Sequence, residues 1–190
     1  MNNLLKYKKE ILLGVLAFLS IFSLLFIFGQ ISNNKTPTPT PQNLNQATYN
    51  SITPGVSTKD DVTGKLGKPI NTDPNLLEFK SLNPNINNQV NIDQGKVSLI
   101  KEIITLSDAR RTTDITKTYG LAQKILYGPD AGAGFYLFVY PENGIAYIGH
   151  PEAGLLLEIW YFPPTNLSNF KASYADNYSE SYQPKPDRFD

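Results

Sequence analysis

The chain has 190 residues, with 17 Lys plus Arg balanced by 17 Asp plus Glu, a single histidine and no cysteine. That length allows one domain of ordinary size plus appendages, and the lack of cysteine excludes disulfides, thiolate metal sites and a lipid-modified N-terminal cysteine. From residue 32 onward 14 cations meet 16 anions without a basic run, so the clustered charge that a phosphate backbone needs is missing and nucleic acid is not expected as a partner.

The first recognisable element is "ILLGVLAFLSIFSLLFIF", Ile11 to Phe28, which is 18 residues long and free of charge. With Gly29 to Ile31 it approaches the roughly 20 residues that span about 30 Å of hydrocarbon, so residues 11–31 are expected to form a transmembrane helix. Lys6, Lys8 and Lys9 precede it closely and only Lys35 follows closely, which places residues 1–10 in the cytoplasm and the rest outside. A cleaved signal peptide would have a shorter apolar region and a small-x-small site, and "FIFGQISNN" has none.

"SNNKTPTPTPQNLNQ" follows, a Thr/Pro spacer that favours extended polyproline II and would hold the next domain ~40–50 Å off the bilayer when fully extended. Next comes "STKDDVTGKLGKP", residues 57–69, with the marks of a short helix. Ser57 or Thr58 caps it, Asp60 and Asp61 face the positive end of its dipole, and Val62 and Leu66 share one face. Gly67 suits a left-handed C′ position and Pro69 forbids resumption. "RTTDITKTYGLA" at 111–122 repeats this pattern at an offset of 53: Thr112 or Thr113 as cap, Asp114 in the first turn, Ile115 and Tyr119 as the apolar pair, and Gly120 as the stop.

Strands are expected after each helix. "NLLEFKSL" near 75–82, "QVNID" at 89–93 and "KVSLIKEIITL" at 96–106 form the first set, the last two joined at Gln94-Gly95. In the third, Val97, Leu99, Lys101 and Ile103 should share one face and Ser98, Ile100 and Glu102 the other. Phe135–Tyr140, Ile145–Ile148 and Leu155–Phe162 form the second set, separated by "PENG" and "HPEAG" turns. "KASYADNYSESYQPKPDRFD" at the end is polar and Pro-punctuated, and is expected as a disordered tail.

"ITPGVSTKDDVTGKLGKP" resembles the opening of the SmpA/BamE envelope lipoprotein family and of the related β-lactamase-inhibitor-protein-like domains, strongly over about 15 residues and loosely over about 110. The resemblance implies a helix plus β-meander unit, used in tandem in the inhibitor proteins, and a role in binding proteins or scaffolding assemblies in the envelope. This chain departs in lacking the lipoprotein cysteine and in carrying Gly-Leu-Ala where the second unit would carry Gly-x-Pro. No functional residue of those families maps onto it by position.

Among side chains with chemistry, His150 stands alone, which excludes multi-histidine metal sites, and no Gly-x-Ser-x-Gly or Ser-x-x-Lys motif accompanies it. Glu142, Glu152 and Glu158 are close in sequence, but the first two fall in turns where solvated carboxylates are ordinary. "GPDAGAG" at 128–134 lacks the Lys-Ser/Thr of a phosphate loop. Asn34, Asn166 and Asn177 begin sequons that fall outside the expected core. "EIWYFPP" offers two readings: Trp160 and Phe162 close a core face with Tyr161 opposite, or Tyr140, Tyr147, Trp160 and Tyr161 form an exposed partner-binding platform.

The sequence therefore predicts an α+β fold, with short helices packed on an antiparallel sheet built from two related units, about 48–106 and 107–166, behind one transmembrane helix. The linker is 32–47 and the tail 167–190. No catalytic, metal or cofactor residue is assigned. The function expected is non-catalytic binding of an envelope protein partner, and the alternatives are an envelope hydrolase acting through His150 or carboxylates, or a glycan-binding protein.

Overall fold

A computed structural model describes residues 45–182 of the chain. The expected cytoplasmic segment, the span at 11–31, most of the linker, Asn34 and the last eight residues lie outside that range. Among the described residues no helix is long and apolar enough to cross a membrane.

The described part is α+β. Helix α1 (Lys59–Leu66) leads into strands β1 (Asn71–Thr72), β2 (Leu76–Phe79), β3 (Asn88–Asp93) and β4 (Lys96–Ile103). Helix α2 (Thr112–Tyr119) leads into β5 (Lys124–Leu126), β6 (Tyr136–Tyr140), β7 (Ile145–His150) and β8 (Leu155–Tyr161), and helix α3 (Leu167–Tyr174) follows. All eight strands form one sheet in the order β1-β2-β3-β4-β8-β7-β6-β5, every pair antiparallel. Each half is thus a helix followed by a four-stranded meander, and the two meanders join where β4 pairs with β8. The short strands β1 and β5 were not expected, because two and three residues are too few to show alternation.

The two helices are built alike. Thr58 caps α1 by accepting from the Asp61 amide at 3.2 Å, and the Asp61 carboxylate accepts from the Thr58 amide at 2.7 Å, closing a capping box. At α2 the Asp114 carboxylate accepts from the Arg111 amide at 2.8 Å. Arg111 has no side-chain oxygen to return, and neither Thr112 nor Thr113 caps, contrary to expectation; Thr112 is buried and its amide donates to Gly154 O at 3.1 Å. Gly67 and Gly120 have φ 81° and 80° with ψ −158° and −155°, an extended mirror region that only glycine adopts readily, rather than the left-handed helical region expected.

Strand alternation divides the core in two. On one face Leu77, Phe79, Val90, Ile92, Val97, Ile100, Phe138, Tyr140, Ile145, Tyr147, Ile159 and Tyr161 pack with Val62 of α1 and Ile115 of α2. On the other, Leu99, Leu126, Leu137, Val139, Ala146, Ile148, Trp160 and Phe162 pack with Phe170 of α3. Val97 and Leu99 were expected together, but the register jumps from Asn91↔Leu99 to Ile92↔Val97, so Ser98 is an extra residue. That bulge turns Val97 to the face of Ile100.

The tail needs the largest correction. Residues 167–174 are helical, Asn166 caps them by accepting from the Asn169 amide at 2.9 Å, and Phe170 is fully buried, 4.8 Å from Phe162 between ring centres. The second face of β5 to β8 is too apolar to face water, and Leu167, Phe170 and Tyr174 supply the stripe that covers it. Beyond the helix, Tyr127 and Ser179 exchange backbone hydrogen bonds at 2.8 and 2.9 Å, and Glu180 pairs with Lys124 at 2.8 Å and Lys171 at 2.7 Å. The linker also ends earlier than expected, since Ala47 is buried and its amide donates to Asn143 O.

Candidate functional site

The four aromatic residues of the expected platform are all core residues: Tyr140, Tyr147, Trp160 and Tyr161 are 3%, 2%, 2% and 8% exposed. Alternation sends Tyr140, Tyr147 and Tyr161 to the α1/α2 face and Trp160 to the α3 face, so they share no surface. Tyr147 stacks on Phe138 with ring centres 4.7 Å apart, and Tyr140 donates its hydroxyl to Gly120 O at 3.0 Å, tying the sheet to the end of α2. Trp160 meets Phe170 at 6.4 Å and the edge of Tyr178 at 6.0 Å, with the Lys101 ammonium 4.4 Å from its ring centre. The exposed ring of Tyr182 is inclined 59° to Tyr127, which is inclined 66° to Tyr136, so this group is not the coplanar row that a sugar ring would stack on.

The candidates for hydrolytic chemistry stand apart. His150 ends β7, its Nδ1 accepts from the Ala153 amide at 3.2 Å, and its ring meets Phe135 edge-on. Glu142 lies in the 3-10 turn before β7, at the opposite end of that strand, about 17 Å away at 3.3 Å per residue. Glu152 is exposed in the turn after His150. Glu158 is half-buried on β8, where burial raises its carboxyl above the ordinary value while the Lys101 ammonium opposes the rise. The indole N–H of Trp160 has no acceptor in hydrogen-bonding geometry, Glu158 included. Among the described residues no three His, Asp or Glu side chains are grouped to hold a metal. "GPDAGAG" forms a 3-10 helix, Pro129–Ala133; a Cβ at Gly128 would sit 2.3 Å from the Tyr178 ring, so that glycine makes room for the C-terminal segment.

A polar cluster that sequence reading missed lies at the seam between the halves. Glu102 on β4, 8% exposed, accepts from both terminal nitrogens of Arg110 at 3.0 and 2.7 Å and from the Tyr161 hydroxyl at 2.9 Å. Arg110 also grips Asp108, whose carboxyl those hydrogen bonds hold below its ordinary value. Burial raises the Tyr161 hydroxyl, and the Glu102 charge raises it further. Tyr49 lies 5.5 Å from Tyr161, and Asn88 reaches Tyr49 while its Oδ1 accepts from the Ile103 amide at 2.8 Å. Every charge here is spent on its neighbours, so the cluster joins the halves. The signal was an acid on the apolar face of a strand with Arg110 eight residues on.

Exposed aliphatic side chains mark a different place, the corner beside β1 at the end of the sheet. Ile70, Leu82 and Ile86 are 50%, 70% and 51% exposed, and Ile70, Lys80, Ser81, Asn83, Pro84 and Asn87 line a groove of about 410 Å³. Its walls are locked by local hydrogen bonds. The Asn75 amide donates to Asp73 at 3.3 Å, the Asn83 amide to Ser81 Oγ at 2.9 Å, and the Asn85 amide to Asn83 Oδ1 at 2.9 Å. This corner was not singled out from the sequence, where the three residues are scattered through polar loops.

No family model matches the chain, and no curated protein matches it. Among solved structures it is similar to a DUF4309 family protein (YjgB) from Bacillus subtilis, with a TM-score of 0.44 and 14% identity, over 62% of this chain and 87% of that one.

Proposed function

We propose that the chain is a non-catalytic protein-binding or scaffolding module of the cell envelope, held by a single span at 11–31 with its N-terminus in the cytoplasm and residues 45–182 outside. One observation carries the binding role: three aliphatic side chains stand exposed on a corner whose loops are already fixed by hydrogen bonds. Rigid, exposed aliphatic surface is costly in water and is retained where a partner covers it. The matched helices favour reading the two halves as copies of one unit, in keeping with the resemblance to SmpA/BamE-like and inhibitor-protein-like domains. A hydrolase finds less support, since His150 and Glu142 occupy opposite ends of β7.

A photocrosslinking residue at Leu82 of the full membrane-bound chain tests this reading. It should give one discrete protein adduct in intact envelopes, weakened by Ile86→Asp, while the same residue at Lys117 on α2 gives none. Adducts that are equal at both positions, or absent at Leu82, would overturn it.

A further inference from the structure

We infer that residues 176–182, which follow α3, act as a strap that opens when Glu158 gives up its proton. Glu158 stands two residues before Trp160 on β8, so both side chains belong to the sheet face that α3 covers. Tyr178 of the strap packs edge-on against Trp160 with ring centres 6.0 Å apart, and it fills the space above Gly128, where a Cβ would lie 2.3 Å from its ring. Closure leaves two polar groups short of partners. The indole N–H of Trp160 is buried without an acceptor, and the half-buried Glu158 has no ion-pair partner among the described residues. Lifting Tyr178 would return both to water, which a buried donor or carboxylate without a partner favours. The strap is held against that tendency by the paired backbones of Tyr127 and Ser179 and by Glu180 between Lys124 and Lys171.

The groups around Glu158 decide how pH enters. The 3-10 helix Pro129–Ala133 brings Asp130, a like charge, and the strap brings the Tyr178 hydroxyl. From β4 comes Lys101, whose ammonium lies over the Trp160 ring and makes no ion pair with the carboxylate. On β7 the apolar Ile148 stands opposite Glu158, and His150, two residues on, packs against Phe135. On α3, Lys171 is taken by Glu180, and Tyr174 donates its hydroxyl to Ser98 O. Burial, and after it the charge of Asp130, raises the Glu158 carboxyl above its ordinary 4.5, while Lys101 opposes the rise. A raised value in the closed state means that closure is fully supported below about pH 4.5 and loses support as pH rises through that value. Glu180 acts in the opposite sense, because its ion pairs fail in acid. Closure therefore has an optimum between the protonation of Glu180 and the ionisation of Glu158.

The test is amide exchange of the full chain in nanodiscs of neutral lipid, with protection taken relative to the unfolded chain at each pH. Between about pH 4.5 and about pH 8, protection at Tyr127 and Ser179 should fall about threefold or more. It should also stay below that of the Ile103 amide at the seam throughout, since the opening is local. Glu158→Gln, which cannot ionise, should keep the acid-side protection up to about pH 8. Asp130→Asn should shrink the fall by removing the like charge, and His150→Gln should leave it in place. Asp130 is exposed, so its variant keeps the test decisive even where Glu158→Gln disturbs the sheet. A flat profile in the unaltered chain, the same fall in Glu158→Gln or in Asp130→Asn, or a fall abolished by His150→Gln would each overturn the proposal. So would protection equal to that of Ile103, which would make the opening global unfolding.

Discussion

Tyr161 on β8 donates its hydroxyl to Glu102 on β4 at 2.9 Å, within the sheet seam where these two strands pair and join the two meanders. Tyr161→Phe removes one hydrogen bond to a charged acceptor and should cost roughly 1.5–3 kcal/mol. Arg110→Met leaves a buried carboxylate with only the tyrosine and should cost at least as much. Since both act through Glu102, the double variant should fall short of the sum, and urea denaturation of the three proteins measures the deficit. Full additivity would mean that Glu102 does not link them.

Gly67 and Gly120 end their helices with nearly superimposable backbone angles, and a Cβ at either position would meet nothing within 4 Å. Any penalty for a side chain is therefore conformational. Gly67→Val and Gly120→Val should each destabilise by about 1–3 kcal/mol, by similar amounts and additively, when thermal or urea unfolding is compared. A neutral result at Gly120 alone would argue that the second helix echoes the first only by composition.

How far the sequence could be read depended on whether a signal was local. Thr58, Asp61 and Gly67 form α1 with partners three or four residues away, so the helix was legible, as were the six longer strands from their alternation. Burial depends on what comes to lie opposite. The aromatic run 158–162 alternates faces as predicted, but whether Trp160 was covered depended on Phe170 and Tyr178, in a stretch whose polarity hid the spacing of Leu167, Phe170 and Tyr174. The seam needed Tyr161 to meet Glu102 and Arg110, which lie eight residues apart but 59 residues before it in the case of Glu102. The corner groove needed Ile70 beside Lys80 and Asn87, which only the β1–β2–β3 meander arranges.

Alkaline pH should weaken the fold. Burial raises the hydroxyls of Tyr49, Tyr140, Tyr147, Tyr161 and Tyr174 above the ordinary 10.0, and pushes Tyr178 up to about 12. The unfolded chain then loses these protons at lower pH than the folded one. Their contribution is complete below about pH 10 and is lost as pH rises through the folded values. A denaturant midpoint that holds from neutrality to about pH 9 and then falls, with tyrosinate absorbance appearing only on unfolding, is the expected result.

Acid should loosen one place first. Glu180, between Lys124 and Lys171, has its carboxyl drawn down to about 2 from an ordinary 4.5. Its contribution is present above about pH 4.5 and is lost as pH falls towards 2. The backbone pairing of Tyr127 with Ser179 lies beside it, so the protection of those two amides, their exchange relative to the unfolded chain at the same pH, should fall over this window, and Glu180→Gln should give the lower protection already at neutral pH.

Phe170 decides whether residues 167–182 belong to the fold. Its ring is fully buried against Phe162 and Tyr174 at 4.8 and 5.7 Å, with Trp160 at 6.4 Å, and no other described element covers that part of the sheet as α3 does. Phe170→Ala should therefore cost about 3–5 kcal/mol, a large share of the 5–15 kcal/mol of a whole domain. An exposed position on the same helix, Ser173→Ala, should stay within about 0.5 kcal/mol. Trp160 is the single tryptophan of the chain, so its fluorescence reports the same site directly: it should shift to the red in Phe170→Ala before global unfolding and remain unchanged in Ser173→Ala. A loss of under about 1 kcal/mol with unshifted emission would mean that the sheet face is closed by something other than this helix.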